Sequence, residues 1–211
     1  MNEELSNDRV WSRGEVLDLD KDPLIYLGLD IAVRRDTCAL VGLCPIQGFN
    51  HYALWGHKIW TPTKGKPVNL ARDVAPHILN LLESNRVVAL HYDPYQAAAM
   101  VQGFAAEGHA HKLVEVNQGA PMVEAANTLH GLFNETKILM YEDPELESIL
   151  GWTVAVSTER GWRIIKKKQS KPVDFTVSLA MAARGATSES GYLAHPSWSS
   201  TRNVRSALAI P

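Results

Sequence analysis

A chain of 211 residues has room for one ordinary domain with short extensions, and two full domains would be cramped. Hydrophobic residues at 45% argue against wholesale disorder, and a formal charge of −2 means that any nucleic-acid contact must come from a local cluster. Cys38 and Cys44 build neither a disulfide framework nor a four-ligand zinc site. No apolar run reaches the ~18 residues of a membrane span, and the acidic start is unlike a secretory signal, so a reducing, intracellular setting is expected.

Residues 1–23 lack apolar periodicity and are expected to be an arm or linker. Strand-length apolar runs follow at Leu24–Ile31, Thr37–Cys44 and His51–Trp60, separated by turn-forming or charged residues, which predicts an antiparallel meander. The period then changes. Val68–Glu83 places Leu70, Val74, Ile78, Leu81 and Leu82 at helical spacing. Val87–Asp93 reads as a strand closed by Pro94, and Gln96–Glu107 as a helix stopped by Gly108. Lys112–Val116 reads as a strand, and Pro121–Asn134 as a helix with proline in its first turn. A hairpin is expected from Trp152–Val156 and Trp162–Lys166, turning at Glu159-Arg160-Gly161, and a last helix from about Val173 to Arg184. From Thr187 onward the composition predicts a flexible tail. The pattern defines an α/β fold: three antiparallel strands, then parallel strands, in a mixed central sheet flanked by helices, with an extra hairpin before the last helix.

Three aspartates stand where a carboxylate is costly unless paired or bound to a cation. Asp30 lies on the first apolar strand, Asp93 closes the fourth, and Asp174 opens the last helix. Brought together, they would suit hard divalent cations such as Mg²⁺ or Mn²⁺, and two such ions can drive phosphodiester cleavage. Each also has a plainer reading. Asp30 could end a strand at a turn, as could Asp36; Asp93 could initiate a turn before proline; and Asp174 could favour a helix N-terminus. Positive charge gathers at Arg160, Arg163, Lys166, Lys167, Lys168 and Lys171 with no acid among them, either as a phosphate clamp or as a solvated hairpin. Trp152 and Trp162 could stack on DNA or bury against the sheet. His109 and His111 would share a strand face with nothing to complete a metal site, and His91 could assist proton transfer or simply pack.

The ordered set Tyr26-Leu27-Gly28-Leu29-Asp30, Tyr92-Asp93-Pro94-Tyr95-Gln96, Glu115-Val116-Asn117-Gln118-Gly119 and Lys171-Pro172-Val173-Asp174 resembles the nuclease domain of tailed-phage large terminase subunits. The resemblance covers about residues 24–186. It implies an RNase H-like fold and a metal-dependent endonuclease that cuts concatemeric viral DNA during packaging. Asp30, Asp93 and Asp174 would bind two divalent cations, Mg²⁺ or Mn²⁺, with Asp36 a possible auxiliary acid. Implied partners are double-stranded DNA without marked sequence preference, a packaging ATPase domain, the portal and the small terminase subunit, in the cytoplasm of a bacterial host. The phosphate-binding pattern of that ATPase is missing, since Thr63-Lys64-Gly65-Lys66-Pro67 lacks the first glycine and the hydroxyl residue, so this chain is not expected to be the motor itself. Rival readings are a junction resolvase or transposase core of the same fold, and a non-catalytic packaging docking module.

Overall fold

The computed structural model describes residues 23–31, 37–46, 50–63, 66–84, 86–167 and 173–188. The proposed arm up to Asp22 and the tail beyond Ser188, together with Asp36, Lys168 and Lys171, lie outside the described residues. In chain order, β1 (Ile25–Asp30), β2 (Cys38–Pro45) and β3 (Tyr52–Trp60) precede helix α1 (Ala75–Leu82). Then come β4 (Val87–Tyr92), α2 (Pro94–Phe104), β5 (Leu113–Glu115), α3 (Ala120–Asn134), β6 (Ile138–Leu139) and α4 (Pro144–Trp152). Strands β7 (Thr153–Thr158) and β8 (Gly161–Lys166) and helix α5 (Asp174–Thr187) complete the described residues.

The first six strands form one sheet in the order β5-β4-β1-β2-β3-β6. β1 runs antiparallel to β2 and β2 to β3, whereas β4 is parallel to β1, β5 to β4 and β6 to β3. β7 and β8 pair only with each other, as the expected hairpin. The mixed sheet with antiparallel strands first is therefore the one the alternation of periods predicts.

Successive side chains of a strand point to opposite faces, so β1 and β2, apolar at nearly every position, are buried on both sides. Ile25, Leu27, Leu29, Cys38 and Leu40 face α1 and α2, meeting Val74, Ile78, Leu82, Val101 and Phe104. Tyr26, Ala39, Val41 and Leu43 face the other way, onto Leu129 and Phe133 of α3 and Phe175, Leu179 and Ala183 of α5. Helix α5 lies unusually close to the sheet. A Cβ on Gly28 of β1 would fall 1.9 Å from the Ser178 carbonyl oxygen and 2.8 Å from the Ala182 nitrogen. A Cβ on Gly185 would fall 2.3 Å from His91 Cε1 of β4. Glycine at these two positions thus sets how near the first turn of α5, and Asp174 with it, sits to the end of β1.

Two elements lie outside the sequence expectation. β6 is two residues long, too short to show any period. α4 begins where Asp143 accepts hydrogen bonds from the Glu145 and Leu146 amides, a proper N-cap followed by Pro144. Trp152 consequently ends α4 rather than starting the hairpin. The helix expected from Val68 begins later, with a widened turn at Leu70–Val74 in which the Ala75 amide reaches the Leu70 carbonyl. Pro76, which has no amide hydrogen, follows at once. Gly108, at φ 95°, breaks the helix after α2 as expected. α5 continues three residues past Arg184, to Thr187. Among the described residues no helix is long and apolar enough to cross a membrane.

Candidate active site

Asp30 is the last residue of β1, and Asp93 follows immediately after β4. These strands are parallel with Leu29 opposite Tyr92, so the two aspartates come next to each other in register at neighbouring strand ends. The carboxyl ends of parallel strands are where open α/β sheets bind their ligands. Asp174, the first residue of α5, is brought over the same end of the sheet and is buried.

Ser178, one turn into α5, fixes that approach. Its Oγ accepts the Asp30 amide at 3.0 Å and donates to the Ala39 carbonyl at 2.9 Å, tying the helix to β1 and β2 at once. The Thr37 hydroxyl donates to Asp174 Oδ2, and the Asp30 and Asp174 carboxyl groups are hydrogen-bonded to each other. Two carboxyls in a hydrogen bond must hold a proton between them.

The electrostatics follow from this crowding. Asp30 is pushed up from 3.8 to about 8, first by burial, then by the negative charges of Asp174 and Asp93, with Lys166 opposing. The Cys38 thiol is pushed up to about 12, again by burial first and then by Asp30 and Asp174. Burial at this end of the sheet, beside the acids, is the common cause of both shifts. Asp93 is engaged separately: Oδ1 accepts the Tyr95 amide at 3.0 Å, capping α2, and Oδ2 accepts the Gln118 side-chain amide. As the side chains stand, no three His, Cys, Asp or Glu groups among the described residues converge as a metal cluster. The donor set nonetheless suits a hard cation, being carboxylate oxygens with a hydroxyl and an amide beside them and a proton held where positive charge is wanted.

The basic residues do not form one surface among those described. Alternation along β8 puts Trp162, Ile164 and Lys166 on one face and Arg163 and Ile165 on the other. Ile164 packs on the core while Ile165 is exposed. Lys166 lies near enough to Asp30 to draw its pKa down, whereas Arg163 is exposed on the opposite face. Lys167 donates to the Gly151 carbonyl at 3.0 Å, at the end of α4. Trp162 stacks on His130 with ring centroids 3.8 Å apart, an intramolecular partner that the sequence did not reveal. His91 is buried against Gly185, and burial, with Arg184 adding to it, lowers its pKa to about 4; it packs as a neutral ring. His109 and His111 sit on the turns before β5, not on a strand.

Thr37, Gln118 and Ser178 are the site neighbours that sequence reasoning left without a role. Gln118 stood in a quoted segment, and Ser178 is one helical turn from Asp174; nothing in the spacing of Thr37 pointed to Asp174.

A mixed sheet of this order, with a hairpin before its last helix, has the RNase H-like fold of terminase nuclease domains. Solved structures bear out that fold. Superposition on the large terminase of bacteriophage HK97 gives a TM-score of 0.67 at 21% identity, covering 83% of this chain and 43% of that one. The large terminase nuclease of thermophilic phage G20c, solved with bound magnesium, gives 0.60 at 15% identity, over 82% of this chain and 96% of that one. The large terminase nuclease domain of Thermus phage P74-26 gives 0.56 at 16% identity, covering 82% and 94%. The chain thus spans less than half of the HK97 protein and nearly all of the two nuclease domains. No family model and no curated protein matches it.

Proposed function

We propose that this chain is a metal-dependent endodeoxyribonuclease that cuts concatemeric viral DNA during genome packaging. The observation that carries the reading is the Asp30 carboxyl at the paired ends of β1 and β4, its pKa raised by burial first and then by Asp174 and Asp93. Asp30, Asp93 and Asp174 would hold two divalent cations, Mg²⁺ or Mn²⁺. When bound, such ions supply a nucleophilic water at neutral pH and stabilise both the entering and the leaving oxygen of an in-line displacement.

The chain's own groups do the rest. With cations bound, Asp30 and Asp174 would release their shared proton to solvent and serve as ligands, and Asp93 would leave Gln118 to join them. Thr37 and Ser178 hold Asp174 and the end of β1 in fixed orientation, so little reorganisation is left for the reacting complex. Lys166 adds positive charge beside the acids for the scissile phosphate, while Arg163, on the other face of β8, and Lys167, Lys168 and Lys171 would meet DNA phosphates away from the cut without reading bases. No side chain acts as nucleophile, and inversion at phosphorus is expected. The packaging ATPase domain, the portal and the small terminase subunit are its proposed partners, in the cytoplasm of a bacterial host.

A plasmid-nicking assay in Mg²⁺, Mn²⁺ and EDTA tests the proposal. Cutting in either metal, abolished by EDTA and by Asp174→Asn, is expected. Cutting that persists in EDTA would refute it.

A further inference from the structure

Beside the acids lies a cavity of about 300 Å³ that the proposed chemistry does not use. One wall is Thr37, whose hydroxyl holds Asp174, and another is Phe175, the next residue along α5. The cavity therefore lies next to the site, with Thr37 between it and Asp174. Its far side is one face of α4, where Glu145, Ser148, Ile149 and Trp152 fall at i, i+3, i+4 and i+7. Ile149 and Phe175 are buried and form an apolar floor, Trp152 is half-buried, and Glu145 and Ser148 are exposed at the rim.

At the small end of the ~300–1,000 Å³ range of ligand sites, this space admits a single nucleotide's base but not a duplex. Among the described residues no lysine or arginine lines it, and Glu145 would repel a phosphate. What can enter beside a phosphate held at the acids is thus the uncharged end of the same nucleotide.

We propose that this cavity receives one unpaired nucleobase next to the scissile phosphate, stacked against Trp152, with Glu145 accepting a hydrogen bond from an exocyclic amino group. The inference rests on the nuclease reading above and adds a substrate class to it: duplex locally opened at the cut. Stacking makes the site tolerant of different bases, because every base has a π-face. The carboxylate makes it selective among them. Cytosine and adenine present amino donors on their pairing edges, and thymine has none. Opening a pair in an intact duplex is unfavourable, so a nucleotide that is already unpaired should be preferred.

The test uses the whole chain in Ca²⁺, with short duplexes carrying either a fully paired or a single bulged 2-aminopurine. The bulged duplex should bind about tenfold more tightly, and its emission should fall on binding. Bulged cytosine should bind about tenfold better than bulged thymine, and Glu145→Gln should erase that difference. Trp152 is half-buried, so truncating it risks the fold. Ser148→Trp, from the exposed rim, fills the cavity instead. It should abolish the preference for the bulge while leaving affinity for paired duplex unchanged. A protein that cuts in Mg²⁺ yet binds bulged and paired DNA alike, with unquenched emission, overturns the base pocket alone. A protein whose cutting survives Asp30→Asn overturns the nuclease reading and the pocket with it.

Discussion

Replacing Asp30 by asparagine should make the metal-free protein more stable while destroying its activity. Asp30 is raised from 3.8 to about 8 in the folded state. A group whose pKa is higher folded than unfolded contributes stability below its unfolded value and loses it as pH rises through the folded one. At pH 7 an unfolded chain ionises this carboxyl freely and the folded one does not. With each pKa unit equal to about 1.4 kcal/mol, the interval from 3.8 to pH 7 corresponds to a cost of about 4 kcal/mol. Asp30 is largely but not fully buried, so water screens part of that, and about 2 kcal/mol is the working figure. Asparagine keeps the shape, removes the charge and can still hydrogen-bond Asp174. A gain of about 2 kcal/mol raises Tm by roughly 4–8 °C in a domain of this size.

The assay is a pair of thermal melts at pH 7, in EDTA and in saturating Mn²⁺. Wild type should gain about 3 kcal/mol from metal at a hundredfold excess over Kd, and the variant should gain little. Its cleavage rate should fall at least about 100-fold, the upper end of what loss of a mere supporting residue costs a metal site. A variant that melts below wild type in EDTA, yet is still stabilised by Mn²⁺, would refute the reasoning. Asp30 would then be a structural carboxylate whose partners outweigh its repulsions.

Three further outcomes follow from the same geometry. His91 is lowered from 6.5 to about 4, so its share of stability is present above pH 6.5 and is lost as pH falls toward 4, opposite in sign to Asp30. The unfolding free energy of Asp30→Asn, from denaturant titrations, should therefore drop by up to about 3 kcal/mol between pH 6.5 and 4, while that of wild type changes less; equal slopes would count against the assignment. Gly28→Ala should cost about 3 kcal/mol or more, because its Cβ meets helix backbone that cannot give way; cleavage should fail with it, and a stability change below about 1 kcal/mol in chemical denaturation would contradict the close packing of α5. Lys166→Ala and Arg163→Ala should behave differently. The first removes the cation that offsets the acids and lowers metal-free Tm; the second leaves Tm unchanged and flattens the slope of log affinity against log salt by about 0.9. Identical behaviour would mean that the two share a surface after all.

The difference between the legible and the illegible parts of this protein is one of range. β1, β2 and β4 could be read because burial on both faces forces continuous apolar runs, and the hairpin because Gly161, at φ 119°, marks its turn. The acids could be singled out because aspartate at the end of such a run is unfavourable without a reason. β6 could not, since its pairing with β3 rests on two residues. Neither could the roles of Thr37, Gln118 and Ser178, whose partners lie 137, 25 and 148 residues away in the chain.

The basic stretch teaches the sharpest lesson. Read as a line, residues 160–171 make one cluster; folded, the strand period of two sends neighbouring charges to opposite faces. Only Lys166 among the described residues of the stretch acts on Asp30, and Lys167 is held at the end of α4. The same alternation delivers Gly28 and Asp30 to one face of β1, so that the residue admitting α5 and the acid it meets are two apart. Close packing and the negative site are therefore one arrangement. Any change that pushes α5 off Gly28 should also separate Asp174 from Asp30 and let the pKa of Asp30 fall back toward 3.8. An NMR titration of the Asp30 carboxyl in Gly28→Ala, at a temperature where the variant stays folded, would measure that fall; a value still near 8 would show that the field at Asp30 does not depend on the approach of the helix.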